Sequence, residues 1–303
     1  MRACFPFVMS RKVERLERPV KHGMALIGHR GDSASLPENT LVSLQSALDR
    51  GAQGVEFDLQ HMRDRELLML HDDTLRRTAA PWTSNCGYSK EGYEVILDKT
   101  ISKLAWDDIR KIEIGGQGPS RFADVLRLVD GRPGKICLAE LKRGVHAASV
   151  DDVVRVVREA ASKPRQLVFI SFDQEACVLL KRQLPSHDVL LVAKCNSECE
   201  ALRIVDKAAQ LELSGVDYMA DPSVITRRVA EAAHDRGLLL AAWVRKALAA
   251  NDVEPVWDAM YTNGVDILTT NLPDGIFPWA VETEATASKT AGFDEYWKAR
   301  HAD

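Results

Sequence analysis

The chain has 303 residues, a length that suits either one large barrel or two average domains. Hydrophobic residues make up 46% of it, which is enough to form a core. Its formal net charge of -4 argues against a nucleic-acid partner or an anionic membrane surface. No apolar stretch approaches the ~18 residues that cross a bilayer, so no transmembrane segment is expected.

Residues 1–23 form a predicted N-terminal extension without a clear targeting signal. The opening MRACFPFVMS has a short apolar run, but Pro6 interrupts it and the charged segment RKVERLER follows. Because a signal peptide has a longer apolar region and a small-residue cleavage site, we expect a cytoplasmic protein, with secretion or a periplasmic location as the less favoured alternative. The six cysteines include no Cys-x-x-Cys pair, which predicts reduced core thiols.

Nine short apolar runs follow one another from residue 24 and predict β-strands. Continuous apolar runs of this length are typical of strands covered on both faces, as in a parallel sheet. Amphipathic helical segments such as TLVSLQSALDRG, which stops at Gly51, separate most of them. The runs are MALIG at 24, GVEFDL at 54, ELLMLH at 66, KICLAEL at 135, QLVFIS at 166, DVLLVA at 188, VDYMA at 216, LLLAAWV at 238 and VDILTT at 265.

This alternation predicts one α/β domain, a (β/α)8 barrel of the TIM type, over residues 24–280. The alternation continues for about 250 residues without a linker rich in proline, glycine or serine. A doubly wound open sheet is the alternative fold. The polar residues 281–303 are expected to form a C-terminal tail.

Two places break the alternation. Only about seven residues separate the second and third runs, too few for a crossover helix, so the polar RDRE between them predicts a hairpin and a strand outside the barrel. Residues 73–121, between the His71 strand and the Glu140 strand, form a long insertion with little periodicity. Such insertions are usually functional, and we expect this one to form a wall or lid over a site.

The predicted strands end in ionisable and aromatic side chains, and the chemistry of such a barrel belongs at these ends. A single histidine or ion pair at a strand end is more often structural than catalytic. Several of them at the same end of one barrel indicate a site. The strand ends supply His29, Arg30, Glu56, Asp58, His71, Asp72, Glu140, Lys142, Ser171, Phe172 and Trp243.

The motifs around these residues resemble those of the glycerophosphodiester phosphodiesterase family. They are HRG with PENT soon after, GAQGVEFDLQ, HDDTLRRT, AELK, SF and GVDILTTNLP, in this order, from about residue 25 to 275. The resemblance implies a barrel-type fold and an enzyme that cleaves glycerophosphodiesters to an alcohol and glycerol 3-phosphate with the help of a divalent metal ion.

The resemblance also implies roles for individual residues. His29 and His71 match the two acid/base histidines of the family, and Glu56, Asp58 and Glu140 match its metal-binding carboxylates. Three carboxylates completed by water suit Mg2+ or Ca2+ better than Zn2+. Each histidine would contribute about 10²–10⁴-fold by proton transfer, with either a neighbouring glycerol hydroxyl or water as nucleophile.

The substrate-binding positions follow from the same resemblance. Arg30 and Lys142 match positions that hold the phosphate, and the charge of each suits a phosphate oxygen. Trp243 falls where an aromatic residue lines the pocket. Ser171 and Phe172 match the SF motif, which is expected to shape the pocket. The expected partner is therefore a small-molecule phosphodiester, while the sequence carries no prediction of oligomeric state.

Some positions depart from the family pattern or allow two interpretations. Asn271 stands where the family often has an aspartate. Arg245 and Lys246 would add an anion contact or simply lie in a solvated loop. Ser35 and Glu38 have the spacing of a capping box at a helix start, whereas the nearby asparagine, Asn39, would instead reach back to fix the His29 loop.

Two other functions remain open from the sequence. One is a phosphodiesterase or lyase acting on sugar phosphodiesters or on lysophospholipid or sphingolipid head groups, because the pattern is also similar to that of the sphingomyelinase D toxins. The other is a protein that binds a phosphodiester without turnover. The two histidines together with three carboxylates argue against a binding protein, since binding alone needs no proton-transfer groups.

Overall fold

The structure is a computed structural model, and it describes residues 24–132, 134–142, 147–160, 167–244 and 252–271. The predicted N-terminal extension and C-terminal tail, together with Arg245 and Lys246, lie outside the described residues. Among the described residues, no helix combines the length and the apolar character that crossing a membrane requires.

Eight parallel strands close into a barrel, which confirms the predicted (β/α)8 fold and excludes the open sheet. The strand order is β1-β2-β4-β5-β6-β7-β8-β9, and β1 pairs with both β2 and β9. Each of the nine predicted runs overlaps a strand. The strands are β1 Ala25–Gly28, β2 Gly54–His61, β3 Leu67–Met69, β4 Ile136–Leu141, β5 Leu167–Ser171, β6 Asp188–Ala193, β7 Gly215–Met219, β8 Leu239–Trp243 and β9 Ile267–Thr270.

Helices follow most strands and cover the outside of the barrel. Helix α1 begins after Thr40, whose side chain accepts a hydrogen bond from the backbone N–H of Ser43, so the predicted capping box at Ser35 and Glu38 is wrong. The helices in the described part of the chain are α1 Leu41–Asp49, α2 Lys90–Asp98, α3 Trp106–Ile109, α4 Phe122–Asp130, α5 Ala147–Glu159, α6 Gln174–Gln183, α7 Glu198–Gln210, α8 Arg227–His234 and α9 Glu254–Asn263, with one 3-10 turn at Ile101–Lys103.

Alternation along the strands separates two apolar cores. On β2, Val55 and Phe57 point outward into the large core between sheet and helices, because successive side chains of a strand point to opposite faces. Inward-facing residues such as Ile27, Leu138 and Ala241 fill the interior of the barrel. Nearer the carboxyl ends, the inward-facing positions of β2 and β4 are polar, while Ile170 on β5 and Val192 on β6 keep an apolar lining.

The predicted hairpin is confirmed: β3 pairs antiparallel with β2 and stands outside the barrel. The insertion that follows contains α2 and α3 and packs around its own apolar cluster, which includes Tyr93, Leu97 and Ile109. From this insertion, Asp73 and Arg77 line the main cavity. The role of the insertion as a wall or lid stays a prediction.

Candidate active site

The turn after β1 directs His29 and Arg30 toward the carboxyl end of the barrel. Arg30 has φ 55° and Gly31 has φ 83°, so two successive residues adopt the left-handed conformation. A Cβ atom at Gly31 would lie 2.5 Å from the backbone carbon of Ser43 in α1, which leaves room for glycine alone. The backbone N–H of Arg30 donates to Glu56 Oε2 at 2.9 Å, so the turn is joined directly to the neighbouring strand.

Glu56, Asp58 and Glu140 form the carboxylate cluster predicted from the sequence. Glu56 and Asp58 share the inner face of β2, and Asp58 is the register partner of Glu140 on β4. One oxygen of each residue lies within 4.8 Å of the others. Glu56 Oε1 is buried and has no hydrogen-bond partner in the described residues. Three converging carboxylates with a buried free oxygen have the donor set that a hard divalent cation prefers.

Two basic side chains lie against the cluster. Lys142 Nζ is 2.7 Å from Glu140 Oε1 and 3.1 Å from Asp58 Oδ1, and Arg30 Nε is 3.3 Å from Asp58 Oδ2. Burial alone would raise the pKa of Asp58, but the charges of Lys142 and Arg30 outweigh burial and the pKa is lowered. Burial and the charge of Asp58 raise the pKa of Glu140 to about 7. The ionised form of Glu140 is therefore disfavoured beside Asp58, and a further cation would offset this repulsion.

His29 is held in one tautomer by an amide. Asn271 Nδ2 donates to the backbone carbonyl of Val244 and to Asp252 Oδ2, so its oxygen faces the imidazole. His29 Nδ1 donates to Asn271 Oδ1 at 2.6 Å. The free Nε2 lies 3.9 Å from Glu56 Oε2. Burial and the nearby Arg30 charge lower the pKa of His29 to about 3, which keeps the imidazole neutral with Nε2 as its acceptor.

His71 has a charged partner instead of an amide. Its Nδ1 donates to Asp72 Oδ1 at 2.7 Å. Arg77 holds Asp72 through its Nε and Nη2 atoms, and its Nη2 also donates to Glu38, which in turn accepts from Arg30. Burial lowers the pKa of His71, while the hydrogen bond to Asp72 and the charge of Asp58 act in the opposite direction. The two histidines thus differ in the charge of the group behind them.

One cavity of about 920 Å3 brings the predicted residues together. Asp58 is buried and does not line the cavity, but it accepts a hydrogen bond from the lining residue Lys142. Phe172 and Trp243 form an edge-to-face pair, with ring centroids 6.4 Å apart, on another wall. Ser171 is buried and donates to the carbonyl of Leu141, so it joins two strands and is not exposed to the cavity. The predicted strand-end residues that line the cavity are His29, Arg30, Glu56, His71, Asp72, Glu140, Lys142, Phe172 and Trp243.

Comparison with known proteins identifies the family. The sequence model of the glycerophosphoryl diester phosphodiesterase family matches residues 29–274. The chain belongs to this family. The predicted family is therefore confirmed, as is the prediction of an enzyme of this class.

Relatives and solved structures of the same family resemble the chain over different lengths. A glycerophosphodiester phosphodiesterase of Caldanaerobacter subterraneus is 25% identical over 56% of this chain and 67% of its own length, and one of Bacillus altitudinis is 26% identical over 53% and 62%. The structure of a glycerophosphodiester phosphodiesterase from Agrobacterium tumefaciens matches with a TM-score of 0.62 at 21% identity, over 83% of this chain and 97% of that chain. An Oleispira antarctica phosphodiesterase, solved in complex with the product sn-glycerol-3-phosphate, matches with a TM-score of 0.66 at 19% identity, over 85% and 96%.

Asn271 marks a departure from the common pattern of this phosphodiesterase family, and its surroundings explain the amide. An aspartate here would turn a hydrogen-bond donor into a second carboxylate beside Asp252, whose Oδ2 accepts from both the backbone N–H and Nδ2 of Asn271. We therefore expect Asn271→Asp to lower the free energy of unfolding by about 1–3 kcal/mol. Urea unfolding of Asn271→Asp beside the exposed control Asn196→Asp measures this loss, and equal stability of the two variants would contradict it.

Several residues around the phosphodiesterase site have roles that the sequence did not predict. Asn39 was expected to fix the His29 loop, and its backbone N–H does donate to the carbonyl of Arg30. Its side chain also donates to Asp58 Oδ2 and accepts from the Asp58 backbone, so it positions a cluster carboxylate. The motif HDDTLRRT contained Asp72 and Arg77, but motif order does not say which atoms they contact. Asp217 was not predicted as a site residue, because it is a single acidic residue within the otherwise apolar run VDYMA.

Proposed function

We propose that the protein hydrolyses glycerophosphodiesters to an alcohol and glycerol 3-phosphate, with a divalent cation, Mg2+ or Ca2+, held by Glu56, Asp58 and Glu140. The observation that carries the proposal is the convergence of two imidazoles and this carboxylate cluster on one cavity at the carboxyl end of the barrel. Family membership and the product bound to the Oleispira antarctica protein support the same reaction.

The cation and the basic residues would bind different oxygens of the phosphate. Glu56, Asp58 and Glu140 would hold the cation, which would supply positive charge to a non-bridging phosphate oxygen and would lower the pKa of an attacking hydroxyl. Arg30 and Lys142 line the cavity beside the cluster, where they hold the remaining phosphate oxygens. Their present contacts with Asp58 keep both positive charges within reach of the position that the phosphate takes.

The two histidines carry out different proton transfers, one as a base and the other as an acid. His29 holds its proton at Nδ1 against Asn271, so Nε2 accepts the proton of the nucleophile. His71 has the Asp72 carboxylate behind it, which favours an imidazolium that protonates the departing oxygen. The asymmetry between a neutral and a charged partner is the basis of this assignment. Trp243 and Phe172 provide the apolar wall beside the reacting groups.

Release of glycerol 3-phosphate from a panel of glycerophosphodiesters tests the reaction. The panel is assayed with Mg2+, with Ca2+, and with EDTA followed by renewed addition of each metal. We expect release that depends on the metal and returns when it is restored, since the carboxylates need a counter-cation to bind the substrate. The absence of release from every diester with either metal would overturn the proposed function.

A further inference from the structure

Three polar groups on one wall of the active-site cavity have no hydrogen-bond partner among the described residues. They are Asp217 Oδ1 on β7, Trp243 Nε1 on β8 and Thr269 Oγ1 on β9. These strands are consecutive neighbours in the barrel. Asp217 and Thr269 are each 1% exposed, so their unpaired atoms are shielded from bulk water.

The described residues offer these three groups no hydrogen-bond partner. The register neighbours of Asp217 are Val192 on β6 and Ala241 on β8, which are apolar or small. No ion pair with Asp217 is present in the described part of the chain, and its carboxylate is not one of the three in the metal cluster. A buried polar group without a partner is costly, so three on one cavity wall point to a ligand that completes them.

We propose that Asp217, Trp243 and Thr269 form a subsite for the neighbouring hydroxyl groups of a polyol in the diester. This inference rests on the proposed function, because it assumes that the cavity holds a phosphodiester. A carboxyl C=O oxygen accepts, an indole N–H donates, and a threonine hydroxyl does both. Adjacent hydroxyl groups match this set, because each of them both donates and accepts.

The indole donor of Trp243 and the nearby Lys194 argue against a cationic occupant of this subsite. An ammonium group offers no acceptor for Trp243 Nε1, and a quaternary ammonium offers no N–H donor either. Lys194 also lines the cavity, with Nζ 5.7 Å from the centroid of Phe172, which is the ring packed against Trp243. Its charge opposes a second cation at the aromatic wall. A polyol is uncharged and meets no such repulsion.

The polyol hydroxyls have two sources, the retained glyceryl half of the diester or the departing alcohol half. Three substrates separate them: glycerophosphoglycerol has a polyol on both sides, glycerophosphocholine has one on the glyceryl side alone, and bis(p-nitrophenyl) phosphate has none. The variants are Asp217→Ala and Thr269→Val, the second of which removes a hydroxyl and keeps the branched shape. Asp206→Ala, on the exposed face of α7, is the control.

We expect both subsite variants to lower kcat/KM for glycerophosphoglycerol about 10- to 100-fold, as the loss of a buried hydrogen bond requires. Turnover of bis(p-nitrophenyl) phosphate should stay within about twofold of the wild type. A parallel loss with glycerophosphocholine assigns the subsite to the glyceryl half, and an unchanged rate assigns it to the alcohol half. Equal losses on all three substrates, or none on glycerophosphoglycerol, would overturn the inference.

A binding measurement keeps the inference separate from the proposed reaction. If the wild-type protein turns over no glycerophosphodiester, the proposed function fails, and calorimetric titration of glycerophosphoglycerol against dipropyl phosphate then decides the subsite. We expect at least a tenfold preference for the polyol diester, lost in Thr269→Val. Equal affinity of the wild-type protein for the two diesters would show that no polyol subsite exists.

Discussion

Replacement of His29 by alanine is expected to lower kcat for glycerophosphodiesters by about 10²–10⁴-fold, the range for loss of a positioned proton-transfer group. His29 Nε2 faces the cavity as a proton acceptor because Nδ1 is fixed against Asn271. The barrel should remain folded, since the imidazole is at the edge of the apolar interior, and the neighbouring strand contact runs through the backbone N–H of Arg30.

The measurement is kcat for the His29→Ala variant across pH, with circular dichroism as the test of folding. A base must be deprotonated to act, so the wild-type rate falls as the pH falls through the pKa of His29 in the substrate complex, and the variant should lack this acidic limb. His234→Ala removes a histidine on α8 that pairs with Asp266 away from the cavity, and should keep the wild-type rate. Near-normal turnover by His29→Ala would refute its proposed role.

The fold was predictable because the signals that specify it are local. A run such as DVLLVA is apolar at every position after its first residue, which suits a strand covered on both faces. The alternation of such runs with amphipathic helices leaves few topologies. The hairpin was equally local, because seven residues cannot hold a crossover helix. Inward and outward faces then followed from the period of two, which placed Glu56 and Asp58 side by side.

The contacts that refine the site were not predictable, because they join residues far apart in sequence. His29 and Asn271 are separated by 242 positions, and their hydrogen bond exists because β9 closes the barrel against β1. The error at Glu38 has a similar cause. Its spacing from Ser35 suited a helix cap, but the side chain instead pairs with Arg30 and Arg77, an arginine 39 positions away. The tertiary ion pairs of Glu38 are stronger than the local preference for a helix cap.

Charge balance links the carboxylate cluster to stability as well as to catalysis. Burial and the charges of Asp58 and Glu140 raise the pKa of Glu56 well above its usual range, while Arg30 acts against them. Lys142 bonds to Asp58 and Glu140 but leaves Glu56 Oε1 unpaired. The folded chain therefore favours the neutral, protonated form of Glu56 when no cation is bound. A glutamine at this position resembles that neutral form, so the substitution should remove function without lowering stability.

Glu56→Gln is accordingly expected to abolish metal-dependent turnover without lowering the stability of the metal-free protein. The amide has the same shape, and its oxygen still accepts from the Arg30 backbone, but it no longer repels Asp58 and Glu140. Wild-type protein with metal at 100 times the dissociation constant gains about 2.7 kcal/mol, which at about 2–4 °C for each kcal/mol raises Tm by about 5–10 °C. The variant should show no such rise.

Thermal unfolding with and without Mg2+ or Ca2+ tests this, with Glu91→Gln, an exposed residue in the first turn of α2, as the matched control. The control should keep both turnover and the metal-dependent rise in Tm. A Glu56→Gln protein that unfolds several degrees lower without metal would show that Glu56 is mainly structural. A metal-dependent rise in its Tm equal to that of the wild type would place the cation elsewhere. Equal or higher Tm without metal, joined to the loss of both metal responses, is the combination that an unpaired metal-binding carboxylate requires.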